Sequence, residues 1–336
     1  MNARISRRVF VRRVAGACAL GLLTGCAAPL AGPQQSSKSR TIGYVAGSVS
    51  GLAESEPTFR QTLRDLGYVD GRDITIEVRT TGEVTERVSG LLSELIGIPV
   101  DVLVTQGTIQ TLAAKQATKT IPIVFVRVTD PVAQGIVESL ARPGRNMTGV
   151  SAAPSTGPKR LEILQAIVPG LRRVAVLWNA NNSGSALQLR DTESAARTLG
   201  IELQIFGLRS PDELELVFET IARSRPDALL IESAFNQFRD VAQIPDFAAK
   251  MRLPQMYTTD AAFVKAGGLM ALGPNQPSSV RIAAQLVDKI LKGARPADLP
   301  VQMPTQIDFI VNLAAAERIG LTIPESVLRQ ATEVIR

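Results

Sequence analysis

The chain has 336 residues, 45% hydrophobic and 20% charged, with a formal net charge of +6, enough apolar material for one large core or two of ordinary size. Five arginines (Arg4, Arg7, Arg8, Arg12 and Arg13) and no acid fall within residues 1–25, so the remainder is close to neutral and offers no basic face to nucleic acid. There is no histidine, and the two cysteines, Cys18 and Cys26, lie near the amino terminus; this excludes Ser/His/Asp and Cys/His catalysis and any His- or Cys-ligated metal in the folded body.

Residues 1–25 read as a signal peptide: a basic start, a weakly apolar run over 14–23, then small residues. SRRVFV at 6–11 resembles a twin-arginine export motif, with general secretion as the alternative. LTGC at 23–26 resembles a bacterial lipobox, which implies cleavage before Cys26 and acylation of its thiol. Residues 26–40, with Pro, Gly, Gln and Ser, have nothing to bury and read as a tether.

From Thr41 the chain alternates strands and helices. TIGYVAG is a buried strand, 57–66 an amphipathic helix ended by Gly67, DITIEVRT an alternating strand and 85–95 a helix. The stretch 101–131 then reads as strand, tight turn, helix and strand. Its turn, Thr105-Gln106-Gly107-Thr108, places a glycine and two hydroxyls beside the unpartnered N–H groups of a helix start, a small anion site. Asp130-Pro131 closes the second strand with a carboxylate at the same sheet edge, a combination suited to a ligand carrying both a carboxylate and an ammonium. A helix over 132–140 and the strand NMTGVSAAP lead out.

The pattern restarts after a Pro/Ser/Thr/Gly cluster at 152–158, which points to a second lobe. Helices are expected over 159–167, 185–199, 211–222 and 241–250, with strands at RRVAVLWN, ELQIFGL, DALLIES and LPQMY. GLMALG is one more strand and 279–291 one more helix; DFIVNL and two short helices finish the chain. Gly267-Gly268 and the stretch 295–304 read as further passages between lobes. The expected fold is therefore α/β: two doubly wound parallel-sheet lobes joined by a multi-crossing hinge, with ligand-facing loops at the strands' carboxyl ends. Lobe 1 is expected to hold 41–152 and 267–300, and lobe 2 to hold 153–266 and 301–336.

Candidate binding residues are those at strand ends: Ser48 and Ser50, then Gln106, Gly107, Thr108 and Asp130 in lobe 1, and Asn179, Asn181, Asn182, Glu232, Ser233, Thr258, Thr259 and Asp260 in lobe 2. Glu232 and Asp260 are the expected ammonium partners in lobe 2. Each position also suits a plain structural role: Thr108 as part of a helix cap, Asp130 as a turn starter, the asparagines as turn residues, and Trp178 as core rather than cleft wall.

LRDLGYVDGRDITIE, AAKQATKTIPIVFVRVTDPV, SLARPGRNMTGVS, VAVLWN, AGGLM, DKILKGARPADLPVQMPT and NLAAAERIGLTIPESVL together resemble the ABC-transporter substrate-binding proteins of the tryptophan/tyrosine-type family, over roughly 41–336. The resemblance implies the type 1 periplasmic-binding-protein fold with three hinge crossings, a small-molecule solute in the cleft, and delivery to an ABC permease and its ATPase. Together with the lipobox-like LTGC and the missing catalytic side chains, it leads to the expectation of an extracytoplasmic, membrane-anchored lipoprotein, a monomer without a cofactor or enzymatic activity. The chain departs from the family pattern where Ala271-Leu272 replaces the Ser-Tyr of GLMSYG, where Ala180 replaces the proline of LWNP, and in the loop 231–238. Losing that tyrosine weakens the inference of an aromatic amino acid, so the expected solute is a small polar one, an amino acid or related carboxylate. One alternative is a sensory module serving a membrane signalling protein, which the fold alone does not separate from a receptor. A further alternative, an exported cofactor-dependent enzyme, meets the objection that GYVAGSVSG is not GxGxxG and that no acid ends the following strand.

Overall fold

The computed structural model describes residues 39–82, 84–152, 156–232, 242–258 and 261–336. The signal and lipobox readings, Cys26 included, and nearly all of the tether lie outside them. Among the described residues no helix is long and apolar enough to cross a membrane.

Runs of Val, Ile and Leu build the first sheet from β1 (Arg40–Ala46), β2 (Ile74–Thr80), β3 (Val102–Gln106), β4 (Ile123–Val128) and β5 (Met147–Ser151), all parallel, in the order β2-β1-β3-β4-β5. Because side chains alternate along a strand, Ile42, Tyr44, Val102, Val104, Val124 and Val126 pack under α1 (Val49–Asp65) and α9 (Gln276–Leu291). Val45, Leu103, Ile123 and Phe125 pack on the opposite face, under α2 (Val88–Ile96) and α3 (Thr108–Ala117). Each such aliphatic side chain contributes about 1.5–3 kcal/mol on full burial.

The second sheet contains β6 (Arg173–Asn179), β7 (Glu202–Leu208), β8 (Ala228–Ile231), β9 (Gln255–Thr258), β10 (Met270–Pro274), β11 (Ile307–Asn312) and β12 (Glu333–Ile335), in the order β12-β11-β10-β9-β8-β6-β7. It is parallel except where β11 runs antiparallel to β10. On one face lie α4 (Gly157–Ile167), α5 (Ser183–Leu199), α10 (Leu313–Arg318) and α11 (Glu325–Leu328); on the other lie α6 (Leu214–Ser224), α7 (Gln243–Lys250) and α8 (Ala261–Lys265). Trp178 is partly buried at the end of β6 and packs against both faces' cores.

Several expectations need correction. The helix expected over 57–66 begins eight residues earlier, at Val49, because Ser48 caps it. Pro57 sits inside it, and the carbonyl it leaves without a partner belongs to Ala53, which like Pro57 is exposed and can meet water. The helix expected over 132–140 is a series of turns: Asp130 Oδ1 accepts from the Ala133 N–H at 2.9 Å, the Pro131 carbonyl accepts from Ile136 and Val137, and Gly135 takes φ +61. β12 and α8 were not anticipated from the sequence.

The largest difference concerns 267–274, expected in lobe 1. Strand β10 belongs to the second sheet, and the double glycine is a tight turn rather than a passage. Gly267 takes φ +104, and a Cβ on Gly268 would stand 2.7 Å from both the Tyr257 ring and the Phe263 carbonyl oxygen. The chain crosses instead at Asn275, after which α9 covers the first sheet. It crosses back after Gln302, which is still hydrogen-bonded to Gly149 and Ser151 at the edge of β5. The Asn275 N–H donates to the Gln306 carbonyl at 2.9 Å, tying two of the passages side by side.

Candidate functional site

At the mouth of lobe 1, Ser48 has an extended backbone (φ −132, ψ 153) and its Oγ accepts from the Gly51 N–H at 3.0 Å, starting α1 over the end of β1. One turn on, Ser55 Oγ lies 2.7 Å from the Gly51 carbonyl and 3.1 Å from Gln106 Oε1, so the start of α1 is tied to the end of β3. Gly107 then takes φ +94, a region costly for any residue with a Cβ, and α3 begins at Thr108 with no side-chain cap. Thr108 is buried.

The end of β4 carries two non-glycine residues with positive φ, Arg127 at +61 and Asp130 at +38. Val126 pairs with Val150 and Val128 with Ser151, so Arg127 is an extra residue in a bulge. Its Nη1 donates to Gln276 Oε1 at 2.5 Å, and Gln276 Nε2 donates to the Gly51 carbonyl at 3.4 Å. Gln276 directly follows the passage residue Asn275, which caps α9 by accepting from the Ser278 N–H at 2.7 Å. Beneath this group lies Tyr44, whose phenol is pushed up to about 12 chiefly by burial.

At the mouth of lobe 2, Asn179 Oδ1 accepts from the Asn181 N–H at 2.9 Å, Asn181 Nδ2 donates to the Arg209 carbonyl at 2.8 Å, and Asn182 caps α5 through the Gly184 N–H at 2.9 Å. Thr258 ends β9 and is buried. The two mouths meet. Ser183 Oγ donates to Gln134 Oε1 at 2.9 Å, and a Cβ placed on Gly184 would stand 2.7 Å from Thr108 Oγ1 and 3.1 Å from Thr129 Cβ.

The candidate residues thus fall into distinct groups. Ser48, Gln106, Gly107 and Thr108 share one edge, and Thr108 meets the start of α5 beyond Asn182. Asp130 is exposed and lines a crevice of about 470 Å³ with Leu187, Arg190 and Met303. Glu232 is not placed to meet an ammonium: it is fully buried, with Oε2 2.8 Å from Arg160 Nη2 and Oε1 accepting from Thr192 Oγ1 at 2.7 Å. Ser233, Thr259 and Asp260 lie outside the described residues. Arg127, Arg160, Gly184 and Gln276 were not singled out from the sequence. A signal existed for two of them: Arg127 interrupts the apolar run of β4, and Arg160 sits on the apolar face of α4, three and four residues before Ile163 and Leu164.

The family model described as ABC transporter substrate binding protein matches residues 46–335. A tyrosine-binding protein from Clostridioides difficile is 25% identical over 320 residues, covering 91% of this chain and 90% of that protein. Among solved structures, an ABC domain from Streptococcus pneumoniae in complex with L-Trp superposes with a TM-score of 0.83 at 24% identity, covering 88% of this chain and 100% of that one. The ligand-free, open structure of a substrate-binding protein from Clostridium difficile gives 0.65 at 23% identity, covering 88% and 99%.

Proposed function

The chain belongs to the ABC transporter substrate-binding protein family, and from that premise we propose that it is a lipid-anchored receptor that shuts two lobes over a small polar solute and presents it to an ABC permease driven by a partner ATPase. Members of such a family bind rather than transform, and act on the extracytoplasmic side. The observation that carries the reading is the bridge between the two strand mouths, Ser183 to Gln134 and Gly184 to Thr108. Contacts of this kind form only when the lobes approach, so a solute held from both sides shifts the open–closed equilibrium toward the form a permease can recognise. The better superposition on the L-Trp complex than on the open, ligand-free structure agrees with closed lobes.

The solute class is an amino acid or related carboxylate. The tyrosine- and tryptophan-binding relatives support this, while Ala271-Leu272 leaves an aromatic side chain unrequired. Cys26 is the proposed acylation site after removal of 1–25, and the tether up to residue 40 lets a monomeric body reach the permease. Mass spectrometry of material released from freshly purified, denatured protein tests the reading. An amino acid or carboxylate recovered in near-stoichiometric amount is expected. Covalent turnover of the released compound by the purified protein would overturn it.

A further inference from the structure

We infer that Gln110, on the first turn of α3, takes the solute's carboxylate together with Thr108 and Gln106, an assignment that rests on the receptor reading above. No sequence pattern singles out Gln110; its burial and its unused amide do.

Gln110 is 2% exposed, and among the described residues its side-chain amide makes no hydrogen bond. A buried amide left in that state carries a large desolvation cost. Its neighbour does not: Thr111 Oγ1 donates to the Gly107 carbonyl at 2.7 Å and lies 2.9 Å from Thr105 Oγ1. The plain structural role for a glutamine three residues past a helix cap is to reach back and accept from the N–H of the cap residue. Here that residue is Gly107, and its N–H already donates to the Val126 carbonyl at 2.9 Å. The side chain folds back all the same, with Oε1 3.0 Å from where a Cβ on Gly107 would lie. A glutamine held over this turn, its capping role already filled by β4, is placed for a group that comes from outside the fold.

The residues around it agree. Thr108 is 3% exposed, and among the described residues its hydroxyl also has no hydrogen-bond partner. Gln106 Oε1 accepts from Ser55 Oγ at 3.1 Å, which leaves the N–H donors of that amide for another partner. Helix α3, ten residues long, begins with no side-chain cap, so its first N–H groups are open as well. Donors therefore outnumber acceptors at this edge, none of these side chains carries a fixed charge, and the positive end of the α3 dipole lies behind them. Such a set matches a carboxylate. The start of α5 covers it, since a Cβ on Gly184 would stand 2.7 Å from Thr108 Oγ1, and bringing the lobes together shields these donors from competing water.

The test uses the mature protein and its Gln110→Met and Gln110→Asn variants. Probes are L-tyrosine, L-tryptophan and L-leucine, each paired with the amine that lacks its carboxylate (tyramine, tryptamine, isopentylamine), read by calorimetry, with thermal unfolding of the ligand-free proteins alongside. Wild type is expected to bind at least one amino acid about tenfold or more tighter than its amine, the scale of a hydrogen bond to a charged group. Both variants are expected to cut that ratio by about fivefold or more. Gln110→Met, which removes a buried amide without partners, is expected to melt no lower than wild type without ligand. A glutamine that only caps or packs would instead lower the melting temperature and weaken both members of a pair alike. The wild-type ratio retained in Gln110→Met, or in Gln110→Asn should the methionine variant not fold, overturns the assignment. So does wild type that shows no preference within any pair or binds none of the six probes; the receptor reading still stands if denaturation releases a small molecule, and falls with the assignment if it releases none.

Discussion

Gly184 of the second lobe and Thr108 of the first are packed so closely that a methyl group on Gly184 would stand 2.7 Å from the threonine hydroxyl. Separations this short are not sustained between real atoms, so any side chain at Gly184 acts as a wedge. Yet Gly184 lies in the first turn of α5, where alanine favours the helix by up to about 1 kcal/mol over glycine. The two effects have opposite sign and act on different states. Gly184→Ala is expected to leave the ligand-free melting temperature unchanged or raised, while solute affinity falls about tenfold or more, about 1.4 kcal/mol. Small-angle scattering should show a larger radius of gyration than wild type at saturating solute; an unchanged affinity would mean that the lobes do not close at this point.

The Ser183 to Gln134 hydrogen bond crosses the same gap. It exists only with the lobes together, so its net worth, about 0.5–1.5 kcal/mol, belongs to the closed form. Ser183→Ala should weaken solute binding about 2- to 12-fold by that measure and leave the unfolding midpoint of the free protein alone. Adding Gln134→Ala should cost little more. If the two substitutions weaken binding additively, the bond is not made in solution.

Arg160 and Glu232 form an ion pair with side-chain exposures of 1% and 0%. Among the described residues Arg160 Nε and Nη1 are buried without a hydrogen-bond partner, so the pair carries a desolvation cost that its short contact repays poorly. Removing only Glu232 strands the guanidinium, and Glu232→Leu is expected to destabilise the protein by about 3–5 kcal/mol. Replacing both, as Arg160→Met with Glu232→Leu, should be less damaging than either single change. Urea unfolding of the four proteins measures the coupling. A double variant as unstable as the sum of the singles would show that the two charges do not stabilise each other.

These residues also mark where the sequence could be read and where it could not. The strand–helix alternation and the apolar runs placed both sheets, since local periodicity decides which face of an element is buried. It did not place β10, because Gly267-Gly268 looks the same whether it links two lobes or lets a strand pass against Tyr257 and Phe263. Glu232 was legible as a strand-end acid, but its partner lies 72 residues away on α4, a pairing no local pattern carries. The bulge at Arg127 was hidden for a similar reason, as it is defined by the register of β4 against β5 rather than by either strand alone. Ser48, Asn182 and Gly107 were legible because caps and tight turns are local, yet that same local chemistry accounts for their hydrogen bonds without any solute.

Tyr44 supplies a prediction in pH. Its ring packs edge-on against Phe59 with centroids 5.2 Å apart, it is fully buried, and among the described residues its hydroxyl has no hydrogen-bond partner. Burial pushes the phenol from its ordinary value of 10.0 up to about 12, with Ser55, which falls short of a hydrogen bond, and Arg127 pulling it only partly back. Below pH 10 the phenol is protonated in both folded and unfolded chains, so it adds no pH dependence there. Above that point the unfolded chain releases its proton first, and stability is lost as pH rises through the folded value, by about 3 kcal/mol for two units. Tyr68 and Tyr257 are shifted in the same direction and act in the same alkaline range. Tyr44→Phe should therefore flatten the decline between pH 10 and 12, and at pH 7 should stabilise the protein by about 1 kcal/mol because an unsatisfied buried hydroxyl is gone. Urea midpoints measured from pH 7 to 11.5 decide the matter: a variant whose alkaline decline parallels wild type would mean that the Tyr44 hydroxyl reaches water or an acceptor in solution.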